Sequence, residues 1–310
     1  MHGHPHGHAH PHRHDHGAAS QRAFALGVGL NLAFVAVEAG WGWRVGSLAL
    51  LADAGHNLSD VAGLLLAWAG ALAARRRPGP RHTYGLKRAG LVAACVNALL
   101  LLGAMVWLAW QALLRLGVPQ PVPGGTVMAV AALGIAVNAL TAWLFLRGSR
   151  EDLNLRGAFL HMAADALVSA GVVMAGALTW WRGWTWIDPA ACLVIAIIIV
   201  VGSWGLLTES LHLLFDGVPP HVDLAAVRAL LRAQPGVREV QDLHVWALGT
   251  REVALTAHLI MPDGGGDDAF LRATAASLRE RFGIGHVTLQ VQRAPSSAAC
   301  DAPSDGHAGG

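Results

Sequence analysis

GSLALLADAGHNLSD, residues 46–60, places a histidine and an aspartate four positions apart, His56 and Asp60, inside a run that stays apolar to about residue 74. A second copy of the spacing, His161 and Asp165, lies inside another long apolar run. Residues four apart on a helix share a face, so each pair aims an imidazole and a carboxylate at one point. Two such helices facing each other supply two nitrogens and two oxygens. That set suits a tetrahedral Zn²⁺, whereas Mg²⁺ or Ca²⁺ asks for six or more oxygens. Placement adds weight, because an ionisable group near the bilayer centre costs about 2.5 kcal/mol or more and usually marks an ion or proton path.

The rest of the chain fits a membrane protein. Of 310 residues, 54% are hydrophobic and 14% charged, a balance that excludes an ordinary soluble globule. Six stretches are long enough to cross a hydrocarbon core: 23–43, 47–74, 89–114, 126–146, 157–181 and 186–207. Their many Gly and Ala residues permit close helix packing in lipid, which predicts a compact six-helix bundle. The connections after the second and fourth spans carry Arg75, Arg76, Arg77, Arg81, Lys87, Arg88, Arg147, Arg150 and Arg156. The opposite connections carry Arg44, Arg115 and Arg182. This bias puts both termini in the cytoplasm, with Trp180, Trp181, Trp184 and Trp186 as an outer aromatic belt. No cleaved signal peptide is expected at the start. Cys95, Cys192 and Cys300 show no C-x-x-C spacing, so neither a disulfide framework nor a thiolate metal site is expected.

Two polar regions flank the bundle. In residues 1–20, every even position from His2 to His16 is histidine. Such a stretch cannot bury a core and is expected to be disordered, either as a weak collector of metal ions or as a dispensable tail. The transmembrane region is taken as 21–207 and a soluble region as 208–293. There Asp223 caps a helix through Arg232, strands follow over 237–248 and 252–261, then a helix over 269–282 and a strand over 286–292. The order predicts a small α+β sandwich whose apolar sheet face, with Val245, Leu255 and Leu259, needs cover from a partner. Residues 294–310 form a second disordered tail.

These motifs together resemble the cation diffusion facilitator family, zinc-exporting antiporters of bacteria and zinc transporters of eukaryotes. The likeness covers most of the chain. It rests on residues 46–60, on YG at 84–85 with RA at 88–89, on HMAADAL at 161–167, on DP at 188–189 and on DLHVW at 242–246. It implies a six-helix membrane domain followed by a cytoplasmic ferredoxin-like domain that helps make a homodimer. It also implies export of Zn²⁺ coupled to proton entry, across the cytoplasmic (inner) membrane of a bacterium. Zn²⁺ would be the transported substrate, with Co²⁺ or Cd²⁺ carried less well and no organic cofactor.

Departures from the family pattern bear on the secondary sites. Relatives with a metal site between the second and third spans use an Asp and two His; here His82 fits one position and Leu86 stands at another. In the soluble domain Gln241 replaces a histidine and Gln292 a carboxylate, so the cytoplasmic metal site is degenerate, with His244, His258 and His286 as its remaining candidates. Asp53 shares nearly the same face as His56 and Asp60. It either orients a ligand histidine or pairs at the outer vestibule. Asn31, Glu38, Asn97 and Asn138 are polar groups within spans, for which hydrogen bonding between helices is the default role; Glu38 is also a candidate for the proton path.

Metal and protons compete for the same groups at such a site, since two carboxylates in a poorly solvated cavity repel once the dication leaves. An intramembrane metalloenzyme would need an open coordination position, and no His-Glu-x-x-His motif occurs. A metal sensor would need a signalling or nucleic-acid-binding module, and none is recognisable. The chain therefore reads as a transporter with the lipid bilayer, protons and a second copy of itself as partners.

Overall fold

A computed structural model describes residues 15–118, 120–146, 153–250 and 252–294; within these, the side chains of 15–28, 64, 67, 71, 144–146 and 153–161 are not described. Most of the histidine-rich segment and the C-terminal tail from residue 295 lie outside the described residues. Six long helices come first: α1 (Asp15–Val45), α2 (Leu48–Ala74), α3 (Ala89–Gly117), α4 (Gly124–Leu146), α5 (Leu153–Arg182) and α6 (Ile187–Leu214). Five of them, α2 to α6, are long and apolar enough to cross a membrane on their described residues alone. The sixth, α1, is 31 residues long. It begins at Asp15, so the last residues of the segment expected to be disordered are helical, with Ala18 and Ala19 favouring helix there.

The chain divides into two compact units, one of residues 1–62 and 100–202, the other of 63–99 and 203–310. The first is held by a core of Leu48, Leu50, Met105, Leu108, Val127, Val172, Cys192 and Ile195. Backbone proximity replaces large side chains between α4 and α5. A Cβ on Gly124 would lie 2.4 Å from the Gly176 carbonyl oxygen, and one on Gly176 would lie 2.8 Å from the Met128 nitrogen. Small residues let two helices approach where lipid offers no hydrophobic drive for packing.

One end of α2 is pinned by charge. Ser47 is its cap: the hydroxyl accepts from the Leu50 N–H and donates to the Asp188 carboxylate, which also accepts from the Leu48 N–H at 2.8 Å. Arg115 of α3 donates to the carbonyl of Gly46, a residue whose φ of 70° favours glycine. Trp184 and Trp186 stack, and the Arg182 guanidinium lies 4.6 Å from the Trp181 ring centroid. Exposed Trp107, Trp110, Ile197, Ile198 and Val201 give the bundle the apolar surface that a bilayer requires.

In the second unit the close approach recurs between α2 and α3, where a Cβ on Gly70 would meet the Gly90 Cα at 2.8 Å. The soluble part adds α7 (Leu224–Arg232), β1 (Glu239–Ala247), β2 (Val253–Ile260), α8 (Asp268–Phe282) and β3 (Ile284–Gln292). Asp223 and Asp267 cap the two helices, and Gly283 in the left-handed region ends α8. The sheet order is β1-β2-β3, antiparallel then parallel, with α8 as the crossover that the parallel pair needs. α6 continues to Leu214, about two turns past the expected end at 207, because the polar Thr208 and Glu209 are helix-compatible residues in an uninterrupted helical run.

One expectation about this domain is corrected. Val245, Leu255 and Leu259 do not await a partner. They are buried in the domain's own core with Val227 and Leu231 of α7 and Leu278 of α8. The period-2 pattern identified the apolar face, and both amphipathic helices cover that same face. The opposite face carries His244, Thr256, His258, His286 and Thr288 together with Trp246, Ala254 and Ile260.

Candidate metal site in the membrane domain

His56 and Asp60 sit one turn apart on α2, and Asp165 comes from α5. His56 Nε2 lies 3.6 Å from an Asp60 oxygen and 3.4 Å from an Asp165 oxygen. All three ligating atoms fall within 4.8 Å of one another, and among the described residues no other three His, Cys, Asp or Glu side chains converge in this way. For zinc bonds of about 2.0–2.1 Å in a tetrahedron, neighbouring ligand atoms should be roughly 3.4 Å apart. The observed spacings fit an ion between them. Asp165 is nearly inaccessible, with 3% of its side chain exposed against 29% for Asp60. His161 stands one turn before Asp165 on α5, and its side chain lies outside the described residues.

A second polar layer adjoins the site. Glu38 of α1 and Asp53 of α2 are both fully buried. Asn57 Nδ2 donates to Glu38 at 3.4 Å and Ser169 Oγ donates to Asp53 at 2.9 Å. Sequence reasoning singled out Glu38 and Asp53 but missed Ser169 and Asn57. Ser169 follows Asp165 by one helical turn, so the same four-residue spacing pointed to it. Asn138 is also fully buried, and among the described residues its amide atoms have no hydrogen-bond partner. Asn31 donates to the Met162 sulfur at 3.3 Å.

The three histidines of the soluble domain do not converge. His244 and His258 both approach Asp242, at 2.9 and 3.6 Å, whereas His286 lies 3.2 Å from Lys87 and 3.3 Å from Glu252, with Tyr84 edge-on to its ring. Asp242 reaches both histidines because β1 bulges between Gln241 and His244, giving Asp242 a φ of 48°. Gln241 pairs across the ladder with His258, and the Gln241 side-chain carbonyl, the His258 Nδ1 and the Gln292 side-chain carbonyl are buried without hydrogen-bond partners among the described residues. The Glu252 carboxyl is held below its usual range chiefly by the hydrogen bond from Lys87, with burial opposing and the His286 ring assisting. Arg88 pairs with Asp216. His82 is exposed in the turn with Gly79, and no described pair of ligands joins it.

A family model described as the cation efflux transmembrane domain matches residues 25–215, and one described as the cation efflux protein cytoplasmic domain matches residues 219–294. The chain belongs to the cation efflux family. Among its relatives, the zinc transporter ZitB of Escherichia coli is 39% identical over 261 residues, covering 84% of this chain and 83% of that protein. The metal cation efflux system protein CzcD of Cupriavidus metallidurans is 35% identical over 254 residues, covering 82% and 80%. A cadmium, cobalt and zinc/H(+)-K(+) antiporter of Bacillus subtilis is 32% identical over 261 residues, covering 83% and 84%. The solved metal-bound C-terminal domain of CzcD is 36% identical and covers 23% of this chain and 99% of that one, with a TM-score of 0.22. These cation efflux relatives are transporters rather than enzymes, and the family is one of multi-pass membrane proteins.

Proposed function

We propose that this protein exports divalent metal ions, chiefly Zn²⁺, from the cytoplasm in exchange for protons, through a site made by His56, Asp60, His161 and Asp165. The observation that carries the reading is the convergence of His56, Asp60 and Asp165 from two membrane helices at metal-ligand spacing. Two neutral imidazoles and two carboxylates carry two negative charges and balance one dication in a poorly solvated place. When the metal leaves, the carboxylates repel, and a proton on His56 turns its two short contacts into ion pairs. An inward proton gradient then favours the metal-free state on one side and drives metal outward.

The protein works as a homodimer in the cytoplasmic (inner) membrane of a bacterium, with both termini in the cytoplasm. The basic connections after α2 and α4 support the orientation, and the cytoplasmic family domain supports the dimer. Co²⁺ and Cd²⁺ are carried less well; both metals stand beside zinc in the name of the Bacillus subtilis relative. His244 and His258, with Asp242 between them, bind metal weakly; His286 serves an ion pair instead. The test is reconstitution into liposomes loaded with a zinc-sensitive dye. A pH gradient should drive zinc flux, and an ionophore that collapses the gradient should stop it. Flux indifferent to the gradient would exclude proton exchange.

A further inference from the structure

We propose that a basic cleft where α2 and α3 leave the membrane holds one anionic phospholipid, its phosphate at Arg81 and an acyl chain along the first two turns of α3. The cleft has a volume of about 750 Å³. One end is basic, with Arg81, His82, Lys87 and Arg88, and the other is apolar, with Leu66 of α2 and Val92 and Val96 of α3. Trp246 lines it as well, an aromatic of the kind that settles at headgroup level. Val96 lies seven residues past Ala89, the first residue of a span-length apolar helix, so the cleft runs about 10 Å from the loop into the hydrocarbon. A soluble anion would use the basic end alone. A ligand that fills both ends has a charged head and a hydrocarbon tail, and the bilayer itself supplies it.

The charge of the head follows from the ion pairs. Lys87 is engaged by Glu252 and Arg88 by Asp216, whereas among the described residues no carboxylate pairs with Arg76, Arg77 or Arg81. No lining residue is acidic, and the sequence holds no Asp or Glu between Asp60 and Glu151. Arg76 and Arg77 line a second cleft that shares Arg81, His82, Gly85 and Leu86 with the first. Three arginines without carboxylates thus border the shared wall, and a phosphate is an anion that the guanidinium fork fits. The loop that carries them is folded. Gly79 and His82 exchange both backbone hydrogen bonds, at 3.0 and 3.1 Å, and the Gly85 N–H donates to the His82 carbonyl at 2.8 Å. Gly85 has a φ of 72°, and a Cβ there would lie 3.2 Å from the Arg76 carbonyl oxygen. Orientation in the membrane needs only the charge of this loop; a fixed turn that sets arginines at the head of an apolar cleft is more than orientation requires.

Native mass spectrometry of the full-length protein in detergent, titrated with dioleoylphosphatidylglycerol or dioleoylphosphatidylcholine, counts bound lipid and protein copies together. One phosphatidylglycerol per chain should bind about fivefold tighter than phosphatidylcholine, and Arg81→Gln should remove about that factor, the worth of one arginine facing an anionic headgroup. Arg75→Gln is the control. It removes an equal charge from a residue that lines neither cleft, and should leave the preference within about twofold. Val96→Trp should weaken both lipids alike by filling the apolar end; Val92→Trp repeats that test should the first variant fail to fold. Glycerol 3-phosphate at the same concentration should displace neither lipid. Equal affinity for the two lipids would overturn the proposal, and so would an Arg75→Gln loss equal to that of Arg81→Gln, which would mean diffuse surface charge. Displacement by glycerol 3-phosphate would overturn it in favour of a free-anion site. Dimeric wild type beside monomeric Val96→Trp would overturn it in favour of a second copy of the chain covering the cleft.

Discussion

Asp165→Asn removes one charge from the least accessible corner of the metal site while keeping the shape of the side chain. The replacement leaves His56, Asp60 and the proposed His161 to face a dication with a single negative charge. Because 3% of the Asp165 side chain is exposed, water cannot replace the lost oxygen. Truncating one member of a buried charge pair costs about 2–5 kcal/mol, and about 1.4 kcal/mol corresponds to tenfold. The zinc dissociation constant should therefore rise roughly 30-fold to several thousand-fold. Asp60 is 29% exposed, so a water can take its place in Asp60→Asn, and a loss of about 1–2 kcal/mol, or roughly 5- to 30-fold, is expected. Competition between the purified protein and a zinc-binding dye measures both constants, and the melting temperature reports whether the fold survives. Asp165→Asn protein that binds zinc within about threefold of wild type, or ranks with Asp60→Asn, would refute the claim that burial at this corner sets the affinity.

Three further outcomes follow from other parts of the molecule. His56→Asp should lower the ratio of Zn²⁺ to Cd²⁺ transported, since it replaces a borderline nitrogen with a pliant oxygen; equal ratios in the variant and wild type would count against first-contact selectivity. A fragment of residues 215–294 should self-associate in sedimentation and bind zinc weakly in calorimetry, with the residual binding abolished by His258→Ala; tight binding that survives the substitution would show that Asp242, His244 and His258 are not its ligands. Lys87→Ala should lower the melting temperature at pH 7 by roughly 1–3 °C, a small effect because Glu252 is half exposed. The Glu252 carboxyl is depressed in the folded state, so its contribution is full above the ordinary value of 4.5 and fades as pH falls through the lowered one. The wild-type and Lys87→Ala melting curves should accordingly converge in acid; a difference that persists there would disprove the ion pair as its source.

Much of this architecture is readable from local patterns. Uninterrupted apolar length marks the spans, and the i, i+4 spacing of His56 and Asp60 fixes them to one face of α2. Asp223 and Gly283 mark helix ends through capping chemistry alone. What depends on distant pairing was not legible. Spacing cannot show that Asp188, 140 residues away, accepts from the Leu48 N–H, nor that Asn57 of α2 donates to Glu38 of α1. The bulge that brings Asp242 under His244 and His258 shifts the β1–β2 register, which no alternation pattern records. Burial of Val245, Leu255 and Leu259 was correctly read as one face. Which neighbour covers that face is a matter of topology, and here it is α7 and α8.

The ties at the start of α2 make that helix a lever. Leu48 is fixed through Asp188, and His56 lies eight residues on, about 12 Å along the axis at 1.5 Å per residue. Swinging the helix by about 10° around this pivot displaces the imidazole by roughly 2 Å, a distance equal to a zinc–ligand bond. Coordination can be made or broken by a tilt of that size with every helical hydrogen bond intact. Cutting the tie at Asp188 would leave the lever without its fulcrum, and the stroke delivered to the metal would no longer be defined.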